Sequence, residues 1–235
     1  MRNIDICLTP ELLHLYEIKD RVVVVVDILR ATSCMTTAIA HGVEKIIPVA
    51  TLEECKNYQN QGLLAAAERD AKKAEGFDLD NSPFSYMQEY LRGKTIAMTT
   101  TNGTLAITKS KEAVAIIVGS FLNKTAIINY LRSQPNHVLV LCAGWKGKVN
   151  LEDTLFAGAL VDELKDEFKI EDDATLGAHT IYSCAKFNML KSMASSSHVR
   201  RLHRLNLAKD IEFCIREDEY DVIPILRGNA LEKMI

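Results

Sequence analysis

The chain has 235 residues, of which 48% are hydrophobic and 25% are charged, a composition typical of a globular protein with a substantial core. The formal net charge of -3 gives no general basic field, which argues against nucleic acid as a partner. No apolar stretch approaches the roughly 18 residues of a membrane-spanning helix, so a membrane role is not expected. Six cysteines without CxxC spacing, and an opening segment without a signal-peptide core, predict a cytoplasmic protein with reduced thiols.

Short apolar runs recur along the chain and predict strands. The first run, residues 4–8, alternates between apolar and polar residues more than the others do, which predicts an edge or antiparallel strand. The second, residues 22–26, is five consecutive valines ended by Asp27, the pattern of a strand buried on both faces of a parallel sheet. The remaining predicted strands are residues 45–49, 63–67, 95–98, 114–118, 138–142 and 222–225.

Segments of helical pattern lie between these runs. Strands that alternate with helices predict an α/β fold, here a central mixed, mostly parallel sheet with helices on both faces. We expect one domain over residues 1–235, with room for two lobes around a cleft. The acidic stretch 162–173 is interpreted as a solvated helix end and loop and not as a metal cluster. The predicted helices are residues 32–41, 52–59, 83–90, 104–109, 122–132, 151–168, 174–190 and 199–216.

Polar residues follow the valine run at the sheet edge where α/β proteins bind ligands. Asp27 could hold a cation, and Arg30 could hold a phosphate or sulfonate, since carboxylates suit Mg²⁺ and guanidinium groups bind such anions bidentately. It is equally consistent with the sequence that Thr32 is a helix cap beside a surface ion pair and that the turn binds no ligand. The residues alone leave both interpretations open.

The strand at 63–67 leads into a second charged turn. Glu68 and Arg69 are predicted to reach the same sheet edge as the turn after the valines. Further on, Asn81 and Ser82 precede Pro83, which favours a helix start, although both could also face a ligand.

Hydroxyl groups and one glycine follow the strand at 95–98. Thr101, Asn102, Gly103 and Thr104 lead into a helix, and backbone N–H groups at such a turn can bind phosphate. A simple turn and cap explains the pattern equally well. The sequence has neither a Walker A lysine nor a GxGxxG fingerprint.

The turn after residues 138–142 is rich in small residues. Gly144 permits close ligand approach, and Asp153 could become a metal ligand where the next helix begins. In the competing interpretation Asn150 caps that helix, while Glu152 and Asp153 interact with its dipole. We favour a functional Asp153, because four separate turns point to one sheet edge.

Other reactive residue types are assigned no site role. Cys34 and Cys142 lack the CxxxxxR spacing of cysteine phosphatases and are expected to be packed residues. The histidines show no zinc-binding spacing. A solvated helix face is expected for the basic residues Arg200, Arg201, His203 and Arg204.

Four motifs in order, VDILRAT, AERDAKKAEGFDLDNSP, TTTNGT and CAGWKGKVNLED, resemble the 2-phosphosulfolactate phosphatase family. The resemblance covers residues 22–158, and residues 195–224 also look like the family's C-terminal part. It implies a Mg²⁺-dependent phosphatase of α/β/α fold that hydrolyses (2R)-2-phospho-3-sulfolactate to 3-sulfolactate and phosphate, a step associated with coenzyme M biosynthesis. The chain departs from the family pattern at Ala67 and Asp80, where the family has glycine.

The resemblance also implies roles for individual residues. Asp27, Glu68 and Asp153 would bind Mg²⁺, and Asp27, Arg30, Glu68 and Arg69 would form the catalytic set. The expected substrate-binding residues are Thr32, Asn81, Ser82, Thr101, Asn102, Gly103, Thr104, Gly144 and Lys146.

Three alternatives remain open at this point. Asp27 could be a covalent nucleophile, although Leu29 stands where haloacid dehalogenase phosphatases carry their second aspartate. The substrate could be another phosphorylated hydroxy acid, or the protein could bind a small anion without catalysis. The sequence also leaves a homo-oligomer open.

Overall fold

The fold is organised around a mixed, largely parallel sheet of eleven strands, in a computed structural model that describes residues 1–234. The strand order is β5-β4-β6-β3-β11-β10-β7-β2-β8-β1-β9. The α/β class and the mixed sheet were both predicted. The strands are β1 (Arg2–Cys7), β2 (Arg21–Val26), β3 (Lys45–Pro48), β4 (Leu64–Arg69), β5 (Lys72–Lys73), β6 (Thr95–Thr99), β7 (Ala115–Gly119), β8 (His137–Cys142), β9 (Phe168–Lys169), β10 (Pro224–Arg227) and β11 (Ala230–Lys233).

Helices connect most of these strands. Short 3₁₀ helices occupy Pro10–Leu15, Pro83–Tyr86, Glu89–Leu91 and Phe121–Asn123. The α-helices are α1 (Ala31–Ala40), α2 (Leu52–Asn60), α3 (Gly103–Lys109), α4 (Lys124–Ser133), α5 (Leu151–Leu164), α6 (Asp173–Ala185), α7 (Met189–Met193), α8 (Ser197–Arg204) and α9 (Ala208–Cys214).

The valine strand β2 lies in the middle of the parallel part of the sheet, between β7 and β8. Val22, Val24 and Val26 pack into one hydrophobic cluster, together with residues of α5. Val23 and Val25 pack into a second cluster, together with residues of α1. Because successive side chains of a strand point to opposite faces, helices cover both faces of β2, as its unbroken apolar run predicted.

A C-terminal hairpin completes the sheet. β11 pairs antiparallel with β3 through Leu231 and Ile46, and β10 pairs antiparallel with β7 through Ile225 and Ile117. The hairpin thus separates the parallel group β4-β6-β3 from the parallel group β7-β2-β8-β1-β9. The strand predicted at 222–225 is part of this hairpin, but its partner β11 was missed.

The prediction that residues 4–8 form an edge or antiparallel strand is wrong. β1 pairs parallel with both β8 and β9 and is not the last strand of the sheet. Its alternation arises because Asp5 is a buried polar residue that forms an ion pair with Arg21. A buried carboxylate with an ion-pair partner therefore produced the alternation of polar and apolar residues that is typical of a half-exposed strand.

Two predicted helices differ from those in the structure. One is interrupted, and the other ends before its predicted last residue. Residues 83–90 form two short 3₁₀ helices instead of one α-helix. The helix predicted at 151–168 ends at Leu164, and Phe168 belongs to the short strand β9, where it is buried. The tertiary pairing of Phe168 with β1 outweighs the helical pattern of its segment.

Two longer helix predictions in the C-terminal part each correspond to two helices. Residues 174–190 divide into α6 and α7 because the Asn188 side chain caps the start of α7. Residues 199–216 divide into α8 and α9 at Asn206, which adopts a left-handed φ of 60°. Asparagine tolerates this conformation better than most side chains.

The acidic stretch 162–173 ends α5 and forms β9 and a loop. Asp162 binds the side chains of Lys165, His179 and Lys186, and these contacts hold the pKa of its carboxyl well below the ordinary range. Within residues 1–234 there is no group of three or more His, Cys, Asp or Glu side chains placed to hold a metal. No helix in this described range is both long enough and apolar enough to span a bilayer.

Candidate active site

A polar cleft lies at the carboxyl ends of β2, β4 and β6. The cleft is narrow, with a cavity volume of about 30 Å³. The turn after β8 and one face of α8 close it from the other side. The lining residues are Asp27, Leu29, Arg30, Glu68, Ala71, Asn81, Thr101, Asn102, Trp145, Asn150, His198, Arg201 and Leu202.

Asp27 stands directly at the end of β2 and is only 8% exposed. Its backbone N–H donates to Thr32 Oγ1 at 3.0 Å, and its Oδ1 accepts from the backbone N–H of Ala31 at 3.3 Å. Burial raises the pKa of the Asp27 carboxyl to about 6, although the nearby His198 opposes this shift. In the absence of a cation, the site therefore disfavours the ionised form of Asp27.

Glu68 is the next-to-last residue of β4 and holds the turn that follows β6. Its Oε2 accepts hydrogen bonds from the backbone N–H of Thr101 at 3.3 Å and from the Thr101 hydroxyl at 3.2 Å. Its Oε1 accepts from the backbone N–H of Ala71. These bonds fix the Glu68 carboxylate on the cleft wall, at the sheet edge shared with Asp27.

Arg30 is fixed in the cleft by a buried ion pair. Its Nη1 contacts Asp210 of α9, and its Nη2 donates to the backbone carbonyl of Ala71 at 3.0 Å. Arg30 and Asp210 have side chains that are 3% and 7% exposed. The peptide bond between Leu29 and Arg30 is cis. The alternative of a surface ion pair for this turn is therefore wrong, since Arg30 is buried.

Asp153 lies behind the cleft and does not line it. Its Oδ1 accepts from the backbone N–H of Ile28 at 2.9 Å, and its Oδ2 accepts from that of Gly144 at 3.1 Å. Burial, and then the negative charges of Glu152 and Asp27, raise the pKa of Asp153 well above the ordinary range. Asp153 thus joins the turn after β2 to the turn after β8.

Six of the residues predicted from the sequence share the cleft surface. Asn81 is one of them, and its buried Oδ1 accepts no hydrogen bond within the described part of the chain. The six are Asp27, Arg30, Glu68, Asn81, Thr101 and Asn102.

The other predicted residues belong to the same turns but contact the protein itself. Arg69 donates to the Glu68 carbonyl at 2.6 Å and to Thr99 Oγ1 at 3.2 Å. Thr104 donates to the Thr100 carbonyl at 3.2 Å. The predicted residues outside the cleft lining are Thr32, Arg69, Ser82, Gly103, Thr104, Gly144, Lys146 and Asp153.

Gly144 shows why the turn after β8 needs a glycine. Its φ is 57°, and a Cβ there would lie 2.5 Å from the backbone oxygen of Lys148. This close approach forms the tight turn that carries Trp145 and Lys146.

The two departures from the family pattern do not reach the cleft lining. Ala67 is a buried residue of β4, paired with Thr99. Asp80 Oδ1 accepts from the backbone N–H of Ser82 at 3.0 Å and from Ser85 Oγ at 2.7 Å. Asp80 therefore stabilises the start of the 3₁₀ helix, whereas the Ser82 side chain makes no capping bond.

Sequence reasoning missed the contribution of α8. The basic segment was expected to be a solvated helix face, but Arg201 lines the cleft together with His198. The guanidinium of Arg201 lies 5.0 Å from the ring centroid of Trp145, and Lys146 Nζ lies 4.8 Å from it. The i, i+3 spacing of His198 and Arg201, beside the buried Leu202, was the available signal.

Two further expectations concern Asn150, which precedes α5, and the cysteines Cys34 and Cys142. Asn150 precedes α5 but makes no side-chain capping bond, and its side chain lines the cleft instead. Cys34 and Cys142 are fully buried, and burial raises the pKa of each thiol well above the ordinary range. Both cysteines are thus packed residues, as predicted, because a nucleophilic thiol needs a lowered pKa.

Comparisons with known proteins agree with the motifs that form this cleft. A family model described as 2-phosphosulpholactate phosphatase matches residues 7–229. A "Probable 2-phosphosulfolactate phosphatase" of Caldanaerobacter subterraneus is 40% identical over 220 residues, which cover 92% of this chain and 91% of the relative. Proteins with the same description from Thermotoga maritima and Clostridium botulinum are 42% identical over 209 residues and 36% identical over 238 residues. The former alignment covers 88% of this chain and 89% of the relative, and the latter covers 99% and 100%.

Proposed function

The chain belongs to the 2-phosphosulfolactate phosphatase family and is a phosphoric monoester hydrolase, and we propose that it hydrolyses (2R)-2-phospho-3-sulfolactate to 3-sulfolactate and phosphate with Mg²⁺. The observation that carries this proposal is the placement of two carboxylates, Asp27 and Glu68, and two guanidinium groups, Arg30 and Arg201, on one small cleft. Carboxylates suit a hard cation, and guanidinium groups suit the oxygens of phosphate and sulfonate.

The donor set of the cleft fits Mg²⁺. Asp27 and Glu68 supply carboxylate oxygens, and Asn81 supplies a buried amide oxygen without a partner in residues 1–234. Mg²⁺ is usually bound by one or two carboxylates together with water and substrate oxygens, so a third carboxylate is not required. When bound, the ion would neutralise charge on the phosphoryl oxygens and orient a water molecule.

Asp153 is less suited to the predicted role of direct ligand. Both of its oxygens already accept backbone N–H groups, and it does not line the cleft. We assign it the positioning of the Ile28 and Gly144 backbone, and through Ile28 of the neighbouring Asp27.

The cationic side chains would bind the two anionic ends of the substrate. Arg30 is held rigidly by Asp210 and by the Ala71 carbonyl, so its remaining N–H groups are oriented before a ligand arrives. Arg201 lies against Trp145 and contacts Asp70, the residue before the Ala71 carbonyl that binds Arg30. Two guanidinium groups in one cleft suit a substrate that carries one phosphate and one sulfonate, and they would also accept a carboxylate in place of the sulfonate.

The proposal also includes a cytoplasmic location. All six cysteines, which lie in the described part of the chain, are unpaired, which supports a reducing, cytoplasmic location. The product 3-sulfolactate would place the enzyme in a coenzyme M biosynthesis type of pathway.

The test is phosphate release from racemic 2-phospho-3-sulfolactate, from 2-phospholactate and from an aryl phosphate, each with Mg²⁺ or with EDTA. We expect Mg²⁺-dependent release that favours the sulfonate, and its loss in a folded Asp27→Asn variant. A preference for 2-phospholactate would assign the enzyme to another phosphorylated hydroxy acid. Release that is equal in EDTA would refute the Mg²⁺ site. Covalent phosphate trapped on Asp27 would make Asp27 the nucleophile instead of a ligand.

A further inference from the structure

His198 and Glu152 form a hydrogen-bonded pair between α8 and α5 at the cleft. We propose that His198 is a catalytic residue that protonates the leaving oxygen of the phosphate ester, and that Glu152 positions its ring. The inference rests on the proposed phosphatase function and adds a proton donor that the four sequence motifs do not contain.

The geometry of the pair supports this role. His198 Nδ1 lies 2.5 Å from Oε1 of Glu152, and the Glu152 side chain is 1% exposed. The bond to Glu152 occupies Nδ1 and leaves Nε2 as the ring nitrogen for a ligand, since His198 lines the cleft. A carboxylate that holds one imidazole nitrogen fixes both the orientation and the tautomer of the ring.

Glu152 itself is otherwise unexplained. Its Oε2 is buried and has no hydrogen-bond partner within residues 1–234. A buried carboxylate is unfavourable unless it has a hydrogen-bond partner. The ring of His198 is the partner of Oε1, and this contact holds the Glu152 carboxylate and the imidazole together.

The other charged groups of the cleft are unsuited to proton donation. Asp27, Glu68, Arg30 and Arg201 share the cleft with His198. The two carboxylates must be ionised to bind a cation. The two guanidinium groups do not lose their protons in proteins. Imidazole is the side-chain type that most often acts as a general acid or base, and His198 supplies one to this cleft.

The chemical step needs such a donor because a secondary alkoxide is a poor leaving group. As a water oxygen forms a bond to phosphorus, the bond from phosphorus to the ester oxygen breaks, and His198 Nε2 transfers its proton to that oxygen. The attacking water leaves one proton on the phosphate product and the other on the imidazole or in solvent. Ester and water are thus converted to alcohol and phosphate without any further reactant.

The experiment compares leaving groups in wild type and His198→Gln. The alkyl ester 2-phospholactate needs protonation of its leaving oxygen, whereas p-nitrophenyl phosphate releases a stable phenolate. We expect kcat for the alkyl ester to fall about 100-fold or more, the size typical of general acid catalysis, and kcat for the aryl ester to fall less than about tenfold. Equal losses on both esters, or no loss on the alkyl ester, would overturn the assignment.

Two further variants separate catalysis from structure. His198→Asn keeps an N–H donor near the position of Nδ1 but removes Nε2, and it should show the same leaving-group dependence even if His198→Gln folds poorly. Glu152→Gln should reduce kcat on the alkyl ester more than on the aryl ester while leaving KM unchanged. A change in KM alone would overturn the positioning role of Glu152.

The control is His203→Gln, since His203 is an exposed histidine of the same helix and does not line the cleft. This variant should match wild type on both esters. If wild type hydrolyses 2-phospholactate but not 2-phospho-3-sulfolactate, the proposed substrate is wrong, while the comparison of leaving groups still decides the role of His198.

Discussion

The backbone of Gly103 lies so close to Asp27 that a Cβ atom at Gly103 would stand 2.9 Å from Oδ2 of Asp27. The same atom would stand 2.7 Å from the Cβ of Ala31. Both distances are shorter than the roughly 3.5 to 4.0 Å of a favourable carbon contact. The start of α3 can therefore rest against the turn after β2 only where residue 103 has no side chain.

Gly103→Ala is expected to destabilise the protein by about 1 to 3 kcal/mol through overpacking and to reduce phosphate release by displacing Asp27. Urea unfolding and initial rates measure the two effects. The matched control is Gly177→Ala in α6, where an added Cβ meets nothing within 4 Å. That variant should be as stable as wild type or more stable, by up to about 1 kcal/mol. Equal stability of the two variants would contradict the close contact.

Asp27 is expected to make the metal-free protein less stable as the pH rises. Burial raises its pKa from 3.8 to about 6 in the folded state. The folded protein thus holds this proton more tightly than the unfolded chain, and the free energy of unfolding falls between about pH 4 and pH 6, by about 3 kcal/mol in total. In EDTA, Asp27→Asn should therefore be more stable than wild type at neutral pH, and this advantage should shrink near pH 4. Urea unfolding at both pH values tests this, and an unchanged difference would refute the shift.

Asp153→Ala is expected to destabilise the protein without abolishing Mg²⁺ binding. The substitution leaves the backbone N–H groups of Ile28 and Gly144 without acceptors, and each unsatisfied group costs about 1 to 3 kcal/mol. Thermal unfolding and Mg²⁺ titration by calorimetry distinguish the two effects. The control is Asp166→Ala at an exposed position. Loss of Mg²⁺ binding by a folded Asp153→Ala variant would restore Asp153 as a ligand.

Asp210→Ala should be strongly destabilising, because it leaves the buried Arg30 without its partner. Removal of one member of a buried ion pair costs about 3 to 5 kcal/mol. The comparison is Glu89→Ala, which breaks an ion pair between Glu89 and Arg92, whose side chains are 82% and 63% exposed. Exposed pairs contribute at most about 1 kcal/mol. Chemical denaturation of both variants gives the two values. Similar small losses would show that the Arg30 pair is not buried in solution.

Arg201→Gln is expected to weaken substrate binding more than catalysis. A hydrogen bond to a charged group contributes about 1.5 to 3 kcal/mol, so KM should rise about tenfold or more while kcat changes less. Steady-state kinetics on 2-phospho-3-sulfolactate measures both constants. Arg200→Gln, at the adjacent exposed position, is the control and should leave KM unchanged. A similar KM for both variants would remove Arg201 from the binding site.

The half of the cleft that could be predicted from the sequence comes from residues at or just beyond the carboxyl ends of strands. Asp27 follows β2, Glu68 lies near the end of β4, and Thr101 and Asn102 follow β6. Parallel pairing of β4 with β6 brings Glu68 and the residues after β6 to one edge, whereas Asp27 reaches that edge across the C-terminal hairpin. The unbroken valine run made β2 equally predictable. These inferences needed only local patterns and the expectation that ligands bind at the carboxyl ends of the strands.

The other half depends on tertiary contacts that local patterns do not carry. His198 reaches the cleft because Val199 and Leu202 anchor α8 in the core. Asp210 meets Arg30 across 180 positions of sequence, and no spacing rule indicates that pair. The missed hairpin is different, since Gly228 and Asn229 between two short strands are a recognised turn signal that was available.

The C-terminal hairpin has a consequence for the order of folding. Glu68 belongs to the strand group on one side of β10 and β11, and Asp27 belongs to the group on the other side. The two groups join into one sheet only when Pro224–Arg227 and Ala230–Lys233 are inserted between them. During synthesis, more than two hundred residues must therefore emerge before the sheet can close. Such late, long-range pairing slows folding, and until it occurs the edges of β3 and β7 are left unpaired and open to aggregation.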